Sequence, residues 1–299
     1  MPARAAILMS AAFNFLGVLI MTHFKASVAN TISHIVDFGG NSTMALACLC
    51  AALFSIVVYG ATASRFGIPT SQSHSLIAGL TGAAIALGGA SSVNVHEWMK
   101  VIYGILLSTL LGFGLGWINY KVIGRMCRNV DRLKANSFFK WAQICSGAGV
   151  AFMHGAQDGQ KFMSIGLLGI ALAFGMETSG STDFPLWLMI ICSAAMSLGT
   201  LLGGKRIIKS VAMDMVSLEK YQGVAASLST VITLFVASMT GMPVSTSHCS
   251  TASIMGVGAS KSFRRVNWGV ARRMVWAWVL TFPCCGFIGW ALAKLFMML

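Results

Sequence analysis

Seven stretches of this chain are apolar over about the length that crosses a bilayer: 5–22, 43–66, 99–121, 142–175, 186–203, 222–240 and 274–297. A spanning helix needs about 20 mostly apolar residues. In hydrocarbon every backbone N–H and C=O must find a partner within the protein, so only helices and closed barrels cross. Runs this long and this continuous read as helices, and two shorter runs, 73–88 and 246–258, accompany them. Only 10% of the 299 residues are charged and 56% are hydrophobic, against about 25% charged in a soluble domain. With a mean hydropathy of +0.77, the chain cannot clothe itself in polar surface. An all-α polytopic membrane protein is expected.

The formal net charge of +13 does not imply a nucleic-acid partner, because the cations sit between the apolar runs. Lys121, Arg125, Arg128, Arg132, Lys134 and Lys140 crowd one connection; Lys205, Arg206, Lys209 and Lys220 mark a second; Lys261, Arg264, Arg265, Arg272 and Arg273 mark a third. Residues 176–185 carry Glu177 and Asp183 but neither Lys nor Arg. Cytoplasmic loops collect Lys and Arg, so the connection 122–140 is expected inside and 176–185 outside. The eight cysteines show no C-x-x-C spacing and read as small packing residues, not as a metal or redox site. The first apolar run is too long and starts too early for a cleavable signal peptide.

One phrase occurs twice. GIPTSQSHSLIAG (67–79) returns 174 residues later as GMPVSTSHCSTAS (241–253), so that Gly67/Gly241, Pro69/Pro243, Ser71/Ser245, Ser73/Ser247 and His74/His248 coincide. A period that long marks a duplicated half, not a solenoid. The charge bias puts both ends of 43–88 outside and both ends of 222–258 inside. Run 5–22 (SAAFNFLG) then matches 186–203 (SAAMSLG), and 99–121 (LLSTLLGFGLGW) matches 274–297 (VLTFPCCGFIGW), each with opposite direction. The expected architecture is an inverted-topology repeat with two helical hairpins and a broken helix: 1–121 a first repeat, 122–140 a basic cytoplasmic loop, 141–299 a second repeat. The broken helix is expected within 142–175, at HGAQDGQK (154–161), and has no mate in the first half. By symmetry its counterpart would precede Met1, so the first repeat is expected to be incomplete at its N-terminal side.

Each phrase puts Pro and hydroxyls where a helix starts and pushes the residue before Pro out of helical geometry. Helix N-termini carry free N–H groups and a partial positive charge and are ready-made anion sites. Two such termini, with Thr70, Ser71, Ser73, Ser245, Thr246 and Ser247 around them, could replace the hydration of a tetrahedral oxyanion. The alternative is that the hydroxyls only bridge helices. Asp158 is the one acidic residue deep in an expected span; intramembrane carboxylates are costly and usually functional. Beside an anion it calls for a cation or proton, which suggests ion-coupled transport. An ion pair with Lys161 or His154 competes with that reading. His74 and His248 read equally as proton sites or packing residues.

Pro-x-Ser-x-Ser-His in both halves, with HGAQDGQK between, resembles the inorganic phosphate transporter (PiT) family over essentially the whole chain. The resemblance implies an ion-coupled phosphate symporter in a cell membrane (for a bacterial chain, the inner one). It implies inorganic phosphate as substrate, alone or as a metal complex, with a proton or sodium co-transported and no further cofactor. It also implies contact with the lipid bilayer, no nucleic acid and a possible homodimer. It assigns substrate binding to Thr70, Ser71, Gln72, Ser73, Gln157, Asp158, Ser245, Thr246 and Ser247, and coupling to Asp158. Gln157 stands where the family has Asn, and Gln72 stands where the second phrase has Thr246. The family's first-half acidic motif, Gly-x-Asn-Asp-x-x-Asn-Ala or a variant, is not found in residues 1–140. From the residues themselves, a permease for another oxyanion such as sulfate, or a non-transporting remnant, stays open. An intramembrane hydrolase is disfavoured, because no G-x-S-x-G occurs and adjacent Ser73 and His74 do not aim at each other; no catalytic residue is expected.

Overall fold

The computed structural model describes residues 1–39, 42–66, 70–175, 184–202, 216 and 218–298. Ten helices order them: α1 (Ala3–Phe24), α2 (Ser27–Ser33), α3 (Ser42–Arg65), α4 (Gln72–Gly88), α5 (Val95–Met126), α6 (Arg132–Phe174), α7 (Leu186–Leu202), α8 (Lys220–Met239), α9 (Thr246–Lys261) and α10 (Trp268–Phe296). No strand is present among the described residues. The helices α1, α3, α5, α8 and α10 are each long and apolar enough to cross a membrane, and the 17-residue α7 is apolar but shorter. The chain is a multi-pass helical membrane protein.

Both repeated phrases open a helix as their residues dictate. Ser71 is the N-cap of α4 and Ser245 the N-cap of α9; each is extended, and each hydroxyl accepts the N–H of the histidine three residues on. Before α9, Gly241 turns with a φ of 70°, a left-handed conformation that a side chain resists. The equivalent Gly67, Ile68 and Pro69 lie outside the described residues, as do Glu177, Asp183 and the cations Lys205, Arg206 and Lys209.

Each hairpin returns to the face it left. Residues flanking α3–α4 meet through Val36 and Val93, with the Asp37 N–H donating to the Ser92 carbonyl at 2.8 Å and the Asn94 N–H to the Ile35 carbonyl at 3.1 Å. At the other hairpin, Lys261 Nζ donates to Glu219 Oε1 at 2.9 Å, joining the end of α9 to the start of α8.

The halves interlock with inverted-repeat symmetry. Helix α4 packs along α10, and its counterpart α9 packs along α5. A methyl added at Gly82 would collide with the Gly286 carbonyl, and one added at the equivalent Gly256 would collide with the Phe113 carbonyl. Gly116 presses on the Ser253 carbonyl just as Gly289 presses on that of Gly79. The matched strings of α1 and α7 also touch: Ser197 Oγ donates to the Ala11 carbonyl at 2.8 Å and Asn14 Nδ2 to Thr200 Oγ1 at 2.8 Å. Small residues let membrane helices approach closely, and polar side chains join them.

One expectation is corrected. Helix α6 is not interrupted at HGAQDGQK; it runs 43 residues without a break, about 64 Å at 1.5 Å per residue. The glycines along this stretch are close-packing glycines: Gly155 lies against the backbone of Asn14, Gly159 against Val18, and Gly17 of α1 against the Phe152 carbonyl. The polar side chains find partners on neighbouring helices, so the backbone has no need to open. The short α2 lies in a stretch that the apolar pattern left as a connection.

Candidate functional site

Asp158, Lys161 and His154 stand at positions i, i+3 and i−4 of α6, a spacing that places them on one helix face. Asp158 Oδ1 accepts from Lys161 Nζ at 2.8 Å and from Ser73 Oγ at 3.1 Å. Its Oδ2 lies 3.2 Å from His154 Nε2 and accepts from Thr246 Oγ1 at 3.4 Å. One hydroxyl from each hairpin therefore reaches one oxygen of the same carboxylate. Lys161 Nζ also donates to Ser73 Oγ at 2.7 Å and to the Val244 carbonyl, in the link between α8 and α9, at 2.6 Å. Ser73 Oγ lies 3.4 Å from that carbonyl, so the hairpins of the two halves meet at this point.

Burial is graded across the cluster. The Lys161 side chain is 1% exposed, Asp158 12% and His154 36%. The ammonium is thus sealed in protein, the carboxylate is largely buried and the imidazole is part-exposed. In the first turns of α4 and α9, the caps take the N–H groups of His74 and His248. The N–H groups ahead of them, at Gln72, Ser73, Thr246 and Ser247, have no partner among the described residues. Two sets of helix-start donors without a partner among the described residues thus flank the carboxylate.

The structure brings together Ser73, Asp158 and Thr246. Ser71 and Ser245 are adjacent but turn their oxygens back on their own helices as caps. Thr70 is half-buried just ahead of α4, and Ser247 is exposed in the first turn of α9. Gln72 is exposed, with its amide against Gly60 of α3. Gln157 is fully buried and donates from Nε2 to Ser238 Oγ of α8 at 3.0 Å, pointing along the helix interface and not toward Asp158. Behind the caps, His74 and His248 pack edge to face with ring centroids 4.4 Å apart, His248 over Trp278 and His74 over Phe282.

Residue-level reading missed the scaffold that holds the face of α6. Asn14 Oδ1 lies 3.0 Å from His154 Nδ1, fixing the ring that bears on Asp158. Gln160 grips the turn between α1 and α2, donating to the Lys25 carbonyl at 2.8 Å and accepting the Val28 N–H at 3.2 Å. Thr31 Oγ1 then donates to the Gly241 carbonyl at 2.8 Å, anchoring the hairpin tip. An amide inside an otherwise apolar run was the available signal for Asn14. Nothing in the sequence marked the Val244 carbonyl.

Comparison with known proteins follows this geometry. The family model described as the phosphate transporter family matches residues 1–289. A probable low-affinity inorganic phosphate transporter of Bacillus subtilis (strain 168) is 34% identical over 96% of this chain and 84% of its own length. One of Rhizobium meliloti (strain 1021) is 35% identical over 95% of this chain and 83% of its own. Among solved structures, "The sodium-dependent phosphate transporter" shares the fold, with a TM-score of 0.89 at 21% identity over all of this chain and 91% of that one. The chain belongs to the phosphate transporter family.

Proposed function

We propose that this protein carries inorganic phosphate across the membrane, coupled to a cation. The observation that carries the reading is the convergence of two symmetry-related helix N-termini, one from each inverted half, on a single intramembrane carboxylate. Free N–H groups at such termini favour an anion, and in transporters built of inverted repeats they take up anionic groups while unwound carbonyls hold the coupling cation. Membership of a transporter family, and relatives named inorganic phosphate transporters, give the substrate class. In this reading phosphate lies across the first turns of α4 and α9, contacted by Thr70, Ser73, Thr246 and Ser247. The Asp158 side supplies the charge balance that couples its movement to a co-transported proton or sodium ion. Ser71 and Ser245 act by fixing the helix starts.

Uptake of labelled phosphate into proteoliposomes, with unlabelled phosphate or sulfate as competitor, tests this. Saturable uptake suppressed by phosphate and not by sulfate is expected. Equal suppression by sulfate would make the protein a general oxyanion permease, and uptake no greater than in empty liposomes would reject transport.

A further inference from the structure

The surroundings of Lys161 Nζ are all oxygen. Three acceptors lie within 2.8 Å of Nζ: Asp158 Oδ1, Ser73 Oγ and the Val244 carbonyl. The carbonyl and the carboxylate can only accept, and the single Ser73 proton is directed to Asp158 Oδ1 or to the Val244 carbonyl, leaving its oxygen to accept as well. A lysine in its usual charged form supplies three hydrogens, one for each of these acceptors. In that form a positive charge is built into the middle of the protein, 1% exposed, inside a cage of one carboxylate, one hydroxyl and one unwound backbone carbonyl. Oxygens of these kinds, at the break of a hairpin, are what hard cations take as ligands.

We propose that Lys161 is a resident substitute for a metal cation. Its ammonium occupies an all-oxygen cage shared by both repeats, and removing the side chain converts that cage into a sodium site. The inference rests on the ion-coupled reading above and narrows it: with this position filled by the chain itself, a sodium ion is not what the cage binds during transport. The three ligands come from α6, from α4 and from the α8–α9 link. The tethered charge therefore also clamps the two hairpins together at the carboxylate, as a bound metal ion would.

The test uses the full-length protein in detergent, without phosphate, and measures radioactive sodium binding and thermal unfolding in sodium chloride against choline chloride at equal ionic strength. Wild-type protein should bind no saturating sodium and should unfold at the same temperature in both salts. K161A should unfold at a lower temperature in choline, be restored saturably by sodium, and bind sodium at least tenfold more tightly than wild type. The double variant D158N/K161A, lacking the cage carboxylate, should lose that response. Saturable sodium binding by wild-type protein would overturn the proposal. So would a K161A protein that is indifferent to sodium, or one that cannot be obtained folded even in sodium. Because phosphate is absent from every arm, a protein that failed to move phosphate would still give these results, which separates the two readings.

Discussion

Replacing Asp158 with Asn removes the counter-charge of an ammonium that has no other anion within reach among the described residues. The pair is 2.8 Å apart, with Lys161 1% and Asp158 12% exposed. At an effective dielectric of about 20, two unit charges at that separation attract by roughly 6 kcal/mol. Desolvation of both groups offsets most of this, but deleting one partner of a buried pair leaves the other uncompensated and costs about 3–5 kcal/mol. The substituted amide keeps an oxygen that Lys161 can reach, which points to the lower end, about 3 kcal/mol, or a fall in melting temperature of roughly 6–12 °C. A thiol-reactive dye can follow unfolding, because Cys48, Cys249 and Cys285 are fully buried in the folded protein. The double variant D158N/K161Q carries neither charge and should regain most of that stability. Ion-driven phosphate uptake should be lost in the single variant and stay lost in the double, because the coupled cation has lost its carboxylate. An unchanged melting temperature in D158N would refute the energetics, and restored uptake in the double variant would reduce Asp158 to a counterion for Lys161.

Three further outcomes follow from the same geometry. The changes G82A and G256A press a methyl on equivalent carbonyls of Gly286 and Phe113, so each should destabilise by about 1–3 kcal/mol; a melting temperature lowered in one and untouched in the other would break the symmetry argument. S71A and S245A each remove a helix cap and should cost about 0.5–2 kcal/mol, read as matched drops in melting temperature. Cysteines placed at the exposed Ser91 and Ser137 should be labelled by an impermeant reagent from outside and only from inside, respectively, if the Lys/Arg bias sets the orientation as expected; the reverse labelling would invert the topology.

The architecture was legible because it rests on signals that survive in one dimension. Apolar length marked the spans, Pro and hydroxyls marked the starts of α4 and α9, and a repeat at a fixed offset related the halves. The spacing of His154, Asp158 and Lys161 put them on one face without a structure. What stayed hidden depends on direction. Gly155 and Gly159 permit both a helix break and a close helix crossing, and only the presence of Asn14 and Val18 opposite them decides for the crossing. Gln157 is next to Asp158 in sequence, but about 100° around the helix, so it faces Ser238 of α8. Gln72 likewise precedes Ser73 yet lies over Gly60. A backbone acceptor such as the Val244 carbonyl leaves no mark on residue type at all.

The central claim is that an anion is held between the two hairpin starts beside Asp158, and equilibrium binding of radioactive phosphate to the purified protein addresses it most directly. One saturable site per chain is expected, and T246V, which keeps the side chain's shape but removes the hydroxyl near Asp158, should weaken it by roughly 10- to 100-fold, the worth of one hydrogen bond to a charged group. Absence of saturable binding in the wild type, or identical binding in T246V, would contradict the placement of the site.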